Sequence, residues 1–181
     1  MNKNYTLCFD TCLEKMYLTL ALNNEILASE VIENHDSKYH SAFLISTISN
    51  ILNKNNIKPA DLSLIGINIG PGSFTGVRIG VSLLKGLAFG KNKICIGVST
   101  LEALAYNLKG FEGVISPVMD ARRGQVYNAL FESDGQVVTR LCDDRAIEIC
   151  ELENELRQFA DKKIYLCGDG YHLTKDSLTF K

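Results

Sequence analysis

The chain has 181 residues, enough for one domain or two small ones, and its 46% hydrophobic and 22% charged residues are ordinary for a folded globular protein. Its 19 Lys and Arg against 21 Asp and Glu give a formal net charge of −2, so the chain alone is a poor binder of a nucleic-acid backbone. No stretch reaches the ~18 apolar residues of a membrane span, and the first residues lead into a strand pattern without a signal-peptide core. We therefore expect a cytoplasmic protein that does not bind membranes.

The first third of the sequence predicts three short strands and a helix. Apolar residues alternate from Tyr5 to Asp10, Leu18 to Leu22 and Ile26 to Ile32, with tight turns between them. Helical spacing follows from Lys38 to Asn53. The apolar stripe of this helix is wider than one buried face needs, because Tyr39 and Phe43 extend it sideways. A second packing partner for the helix is therefore expected.

The middle of the sequence alternates strands and helices. The apolar run from Leu62 to Ile69 suits a strand covered on both faces, and it ends in a Gly-Pro-Gly turn. A helix follows to about Gly90, with Ser73 or Thr75 as its N-cap. A strand over Ile94–Val98 and a helix over Leu101–Leu108, capped by Ser99 or Thr100, complete this part. A meander followed by this alternation predicts a mixed α/β sheet with flanking helices.

A glycine-punctuated break at 109–113 predicts a boundary between an N-terminal subdomain, 1–109, and a C-terminal subdomain, 110–181. In the second subdomain we predict strands over Val114–Met119, Val126–Glu132, Val137–Leu141 and Lys163–Cys167, and a helix over Ala146–Ala160.

The segment from Gly70 to Gly80 is the most informative stretch of the sequence. It is glycine-rich and joins a buried strand to a helix, but it lacks the Gly-Lys-Ser/Thr of a Walker A loop. Each glycine inside a helix costs about 0.5–1 kcal/mol relative to alanine, so several of them indicate a close backbone approach. Gly76 and Gly80 share one helix face. That face packs either inside the domain or against a partner protein, and the spacing alone leaves both interpretations open.

This segment, together with others along most of the chain, resembles the TsaB (YeaZ) family of tRNA threonylcarbamoyladenosine biosynthesis proteins. The other segments that carry the resemblance are Cys8–Thr11, Lys38–Ser41, Ile96–Ala105, Met119–Tyr127 and Gly168–Gly170. The resemblance implies an actin-like (ASKHA, ribonuclease H-type) fold of two subdomains. It also implies that family members continue for some tens of residues, so we expect a C-terminal subdomain shortened relative to the family.

In function, the resemblance implies a non-catalytic scaffold subunit that binds and stabilises TsaD, the threonylcarbamoyl-transferring paralogue, and helps to recruit the ATPase TsaE. Contact with tRNA would occur only through the complex, and the chain alone is expected to form a homodimer. The expected partner interface uses residues of the two N-terminal helices and of the loop before the second: Tyr39, Phe43, Ser73, Phe74, Thr75, Gly76, Arg78, Gly80, Leu83 and Leu84.

The alternatives are a stand-alone metal-dependent peptidase, similar to a glycoprotease, and an ATPase. The catalytic paralogue holds its metal with a His-x-x-x-His pair, and the two matching positions here are Thr100 and Leu104. No HExxH and no Gly-x-Ser-x-Gly motif is present. We therefore expect no catalytic residues, no metal and no cofactor of its own.

Nucleotide binding is left open at one turn. Asp10 and Thr11 occupy the turn where actin-like ATPases contact phosphate and magnesium. They are either turn residues or a vestigial contact for weakly bound ATP or ADP at an interface shared with a partner.

Overall fold

The computed structural model describes residues 3–33 and 40–174. The chain divides into two compact units, Met1–Val98 and Ser99–Lys181. The division therefore precedes the boundary at 109/110 that the glycine-rich break indicated. The helix over Thr100–Tyr106, predicted for the first subdomain, packs instead against the strand over Glu112–Arg122 in the second unit.

The first unit is a five-stranded mixed sheet, as predicted, and it carries two α-helices. Its strand order is β3-β2-β1-β4-β5, where β2 lies antiparallel to both β1 and β3, and β4 lies parallel to both β1 and β5. The elements are β1 (Tyr5–Asp10), β2 (Met16–Leu22), β3 (Glu25–Ile32), α1 (His40–Lys54), β4 (Leu62–Asn68), α2 (Phe74–Ala88) and β5 (Ile94–Val98).

The strand alternation predicted from the sequence places one face of this sheet in the core. Leu7 and Phe9 of β1 point to the same side as Ile65 and Ile67 of β4, and all four side chains are buried. They pack in one hydrophobic cluster with the buried stripe of α1, which consists of Leu44, Ile48, Ile51 and Leu52. Helix α1 thus draws its stability from burial of an amphipathic face.

The second unit is built around one long strand. Its elements are α3 (Thr100–Tyr106), β6 (Glu112–Arg122), β7 (Gln125–Asn128), β8 (Phe131–Asp134), β9 (Val138–Arg140), β10 (Arg145–Glu148), α4 (Ile149–Leu156), β11 (Ile164–Cys167) and α5 (Tyr171–Thr174). Strand β6 pairs with β7, β8 and β11, while β10 extends the sheet from β7 and β9 extends it from β8. Buried side chains of β6 and α4, among them Val114, Val118, Leu152 and Leu156, share one hydrophobic cluster.

The single strand predicted over Val126–Glu132 is wrong, because the chain forms β7 and β8 there. Both pair with β6, at Val118–Arg122 and at Glu112–Ile115, and the gap between them lies opposite Ser116 and Pro117. Pro117 has no N–H to donate to a ladder. The buried side-chain amide of Asn128 occupies the gap and donates to Ser116 Oγ at 2.9 Å and to the Pro117 carbonyl at 3.0 Å.

The helix predicted over Ala146–Ala160 is also wrong at its beginning. Residues Arg145–Glu148 form β10 and pair antiparallel with β7, which buries Ile147. Helix α4 begins only at Ile149. The pairing with β7 outweighs the helical spacing, since edge pairing and burial of Ile147 are tertiary contributions that local propensity does not contain.

Candidate functional site

The loop between β1 and β2 is joined to the first turn of α2. Thr11 Oγ1 donates to the carbonyl oxygen of Gly76 at 2.7 Å, and the N–H of Ser73 donates to the carbonyl of Cys12 at 2.8 Å. Ser73 is the N-cap of α2, because its Oγ accepts from the N–H of Gly76 at 3.2 Å. The glycine-rich segment is thus joined to the β1–β2 loop by one side-chain and one backbone hydrogen bond.

These contacts decide the role of the two glycines on one face of α2. A Cβ at Gly76 would lie 1.8 Å from the carbonyl oxygen of Thr11, and a Cβ at Gly80 would lie 2.6 Å from Thr11 Oγ1. Both glycines are buried within the first unit. Their prediction as partner-interface residues is therefore wrong, since their close neighbour is the loop of Thr11 in the same unit.

Asp10 is held by two hydrogen bonds within the first unit. Its Oδ1 accepts from the N–H of Cys12 and its Oδ2 accepts from Nδ2 of Asn68, both at 2.7 Å. The cavity beside it measures about 160 Å³, whereas small-molecule pockets commonly measure ~300–1,000 Å³. Thr11 is buried and its hydroxyl is committed to Gly76. This arrangement fits a turn residue, and a nucleotide contact of Asp10 and Thr11 stays a prediction.

A larger groove lies between α1 and α2, and we call it the α1–α2 groove. Its volume is about 560 Å³, and it is lined by Ile45, Phe74, Thr75, Arg78, Ile79, Ser82, Leu83 and Gly86. Phe74 is 71% exposed and Ile45 52% exposed, so the groove is an apolar surface that nothing in the described chain covers. Single exposed apolar residues are ordinary, but a contiguous apolar patch indicates an interaction site.

The structure brings together some of the predicted interface residues and separates others. Phe74, Thr75, Arg78 and Leu83 line the α1–α2 groove, and Phe43 lies exposed on α1. Leu84 is half-buried against the core of the first unit. Tyr39 lies outside the described residues.

Four groove residues were missed from the sequence: Ile45, Ile79, Ser82 and Gly86. The three on α2 continue the steps of three and four residues that start at Thr75 and mark one helix face. That spacing was the available signal, and it belongs to a different face of α2 from the buried glycines.

One cation lies in the groove. The guanidinium carbon of Arg78 stands 4.2 Å from the centroid of the Phe74 ring, in the geometry of a cation–π contact. Because Phe74 is largely exposed, the stacked pair presents its charge at the protein surface.

The positions that match the metal ligands of the catalytic paralogue carry no ligands. Ser99 caps α3 by accepting from the N–H of Glu102 at 3.2 Å, so of the two candidate caps it is Ser99 and not Thr100. Thr100 is the buried first residue of the helix. Within residues 3–33 and 40–174, no three His, Cys, Asp or Glu side chains converge as a metal site would require. No helix in the described ranges is long and apolar enough to cross a membrane.

Comparison with known proteins identifies the family. A family model described as TsaD, tRNA N6-adenosine threonylcarbamoyltransferase, matches residues 25–175. The tRNA threonylcarbamoyladenosine biosynthesis protein TsaB of Bacillus subtilis is 33% identical over 172 residues, which cover 95% of this chain and 74% of that protein. The chain belongs to the TsaB family.

Further relatives support the same family assignment. TsaB of Escherichia coli is 31% identical over 140 residues, 76% of this chain and 60% of that protein. The structure of YeaZ from Pseudomonas aeruginosa superposes with a TM-score of 0.68 and 25% identity over 80% of this chain and 66% of that one. The predicted family and the predicted actin-like, ribonuclease H-type fold are thereby confirmed. The chain spans about two thirds of the YeaZ chain, so what these whole proteins do is carried over only as a proposal.

Proposed function

We propose that this chain is a non-catalytic subunit of the machinery that makes tRNA threonylcarbamoyladenosine, and that it acts by binding TsaD through the α1–α2 groove. The observation that carries the proposal is the exposure of Ile45 of α1 and Phe74 of α2 in this groove, beside the half-buried Leu83. Aromatic and aliphatic side chains that leave water on binding supply most of the affinity of a protein interface.

The match to a TsaD family model supports the identity of the partner. This chain and the transferase share a domain type over residues 25–175. We propose that the complex also recruits TsaE, that tRNA is contacted through the complex and not by this chain alone, and that without TsaD the chain forms a homodimer through the same groove. In an isologous dimer of that kind, both copies use the same patch.

We propose further that the chain supplies no catalytic group or cofactor of its own. A metal-dependent peptidase or transferase needs ligands, and the two matching positions are Thr100 and Leu104. Asp10 is occupied by Cys12 and Asn68. Weak ATP or ADP binding at an interface shared with TsaD is compatible with this role.

The test is co-purification of the chain with TsaD from the same organism. Phe74→Asp and Ile45→Asp are expected to abolish the complex, because each buries a charge in the apolar contact. Val137→Asp is the control, since Val137 is 57% exposed, belongs to the second unit and is not among the residues that line the groove. A complex that survives both groove variants, or that fails equally with Val137→Asp, contradicts the proposed interface.

Activity separates the subunit from an enzyme. The chain alone is expected to give no tRNA modification, no peptide cleavage and no ATP hydrolysis, and TsaD is expected to need it for modification. Stoichiometric zinc or iron in the purified chain together with hydrolytic activity would overturn this role in favour of a stand-alone enzyme.

A further inference from the structure

The helices that flank the α1–α2 groove carry charge of one sign only. Neither α1 (His40–Lys54) nor α2 (Phe74–Ala88) contains an Asp or Glu, and their Lys and Arg residues are Lys54, Arg78 and Lys85. The chain as a whole is slightly acidic, with a net charge of −2. The basic character is therefore a local property of these two helices.

Arg78 is positioned to receive an anionic group. Its guanidinium lies over the Phe74 ring at 4.2 Å, a contact that uses the flat face of the group and leaves the N–H donors at its edge. Among the described residues, no carboxylate lies within ion-pair distance of Arg78. A carboxylate from another molecule can thus pair with these donors beside the apolar groove.

Lys85 extends this charge along the same helix. It lies seven residues, or two turns, after Arg78 and therefore on the same side of α2, and it is exposed. A partner helix or loop that follows the groove would meet both cations.

A second copy of this chain offers these cations no carboxylate from its own α1 or α2. In a two-fold dimer each chain presents the same patch, so basic residues of one α1–α2 face would approach those of the other. Neither helix offers a carboxylate in return. Like charges placed across an interface disfavour that pairing, whereas complementary charges favour it.

We propose that the α1–α2 groove selects its partner by charge: its preferred occupant is an apolar protein surface with carboxylates opposite Arg78 and Lys85, and self-association through this face is held weak by like-charge repulsion. The inference rests on the proposed function, because it specifies the chemistry of the protein partner at that groove. A scaffold whose own dimer is weak remains available to that partner.

The experiment compares two associations by sedimentation velocity, the self-association of the chain and its complex with TsaD from the same organism. Both are measured at about 0.1 M and about 1 M NaCl, between which the screening length falls from ~10 Å to ~3 Å. We expect salt to strengthen the self-association and to weaken the complex, each several-fold. Salt dependence of the same sign for both would overturn the proposal.

Variants of Arg78 test the same point at one salt concentration. Arg78→Gln should strengthen the self-association and weaken the TsaD complex, and Arg78→Glu mixed with the unaltered chain should give a heterodimer tighter than either homodimer. Lys109→Gln is the control, because it removes one positive charge from an exposed residue outside both helices. If Arg78→Gln changes the two associations no more than Lys109→Gln does, the groove does not select its partner by charge.

The measurements of self-association and of the TsaD complex separate this inference from the proposed function. Failure of TsaD to bind the chain at any salt concentration contradicts the proposed function, while the self-association of Arg78→Gln and the mixed dimer still decide whether the groove discriminates by charge. A TsaD complex that forms but does not respond to Arg78→Gln retains the proposed function and overturns the inference.

Discussion

Thr11 and Gly76 contact each other through their backbones as well as through a side chain. Thr11 Oγ1 donates to the Gly76 carbonyl at 2.7 Å, while a Cβ at Gly76 would lie 1.8 Å from the Thr11 carbonyl oxygen. A residue larger than glycine cannot occupy this position without displacing the β1–β2 loop. Glycine at position 76 makes the helix about 0.5–1 kcal/mol less stable than alanine would, but it allows the backbones of Thr11 and Gly76 to approach each other this closely.

Gly76→Ala is therefore expected to destabilise the protein by at least the ~1–3 kcal/mol that is typical of overpacking, because backbone atoms must move. Gly86→Ala is the matched control in the same helix: Gly86 is exposed and has nothing within 4 Å of an added Cβ. It should stabilise the protein by about 0.5–1 kcal/mol through helix propensity alone. Urea unfolding measures both, and equal stability of the two variants would contradict the contact.

Gly80→Ala tests the second close approach, which involves a side-chain atom. The added Cβ would meet Thr11 Oγ1 at 2.6 Å, and this hydroxyl disappears in Thr11→Ala. We expect Gly80→Ala to lose stability in the unaltered chain and to lose clearly less of it in a Thr11→Ala background. A double-mutant cycle measures this coupling. Loss of TsaD binding by Gly80→Ala without loss of stability would instead return Gly80 to the partner interface.

Asp10→Ala is expected to act on stability and not on chemistry. Two donors, the N–H of Cys12 and Nδ2 of Asn68, lose a charged acceptor, and hydrogen bonds of this kind contribute about 1.5–3 kcal/mol. Glu14→Ala, an exposed residue in the same loop, removes the same charge and should stay within about 0.5 kcal/mol of the unaltered chain. At a temperature where both variants are folded, tRNA modification by the complex should be unchanged. Loss of modification by folded Asp10→Ala would assign Asp10 to a nucleotide contact.

The fold was largely predictable because its signals are local. The alternation in β1 placed Leu7 and Phe9 in the core, and the 3.6-residue spacing of α1 selected Leu44 and Ile48 for burial. The predictions were wrong where a residue outside the segment determines its structure. Pro117 interrupts the ladder and thereby separates β7 from β8, although Pro117 precedes both in the sequence.

The candidate site was only partly predictable for the same reason. The spacing of Gly76 and Gly80 showed that something approaches α2 closely, but not that this is the loop of Thr11, 65 residues before Gly76. The groove needs Ile45 from α1 beside Thr75 and Leu83 from α2, and no local pattern shows which faces of two helices meet.

The thiol of Cys167 provides a pH-dependent test of the second unit. Burial raises the pKa of Cys167 from its ordinary 9.0 to about 11, because the thiolate would be desolvated, and the thiol donates to the Leu104 carbonyl at 3.8 Å. As the pH rises above about 9, the unfolded chain releases this proton first, so the folded state is penalised and stability falls until about pH 11. Below pH 9 the group contributes no slope.

When the pH is raised from ~8 to ~10, the free energy of unfolding of Cys167→Ala should therefore fall less than that of the unaltered chain. Urea unfolding measures both, and comparing the two proteins at the same pH removes the contributions of other groups. Cys95→Ala is the control for removal of a thiol, because Cys95 is exposed. In the native protein at pH ~8, iodoacetamide should modify Cys95 before Cys167, since the thiolate is the reactive form. Modification of Cys167 as fast as Cys95, or a slope that Cys167→Ala leaves unaltered, would show that β11 does not bury this side chain against α3.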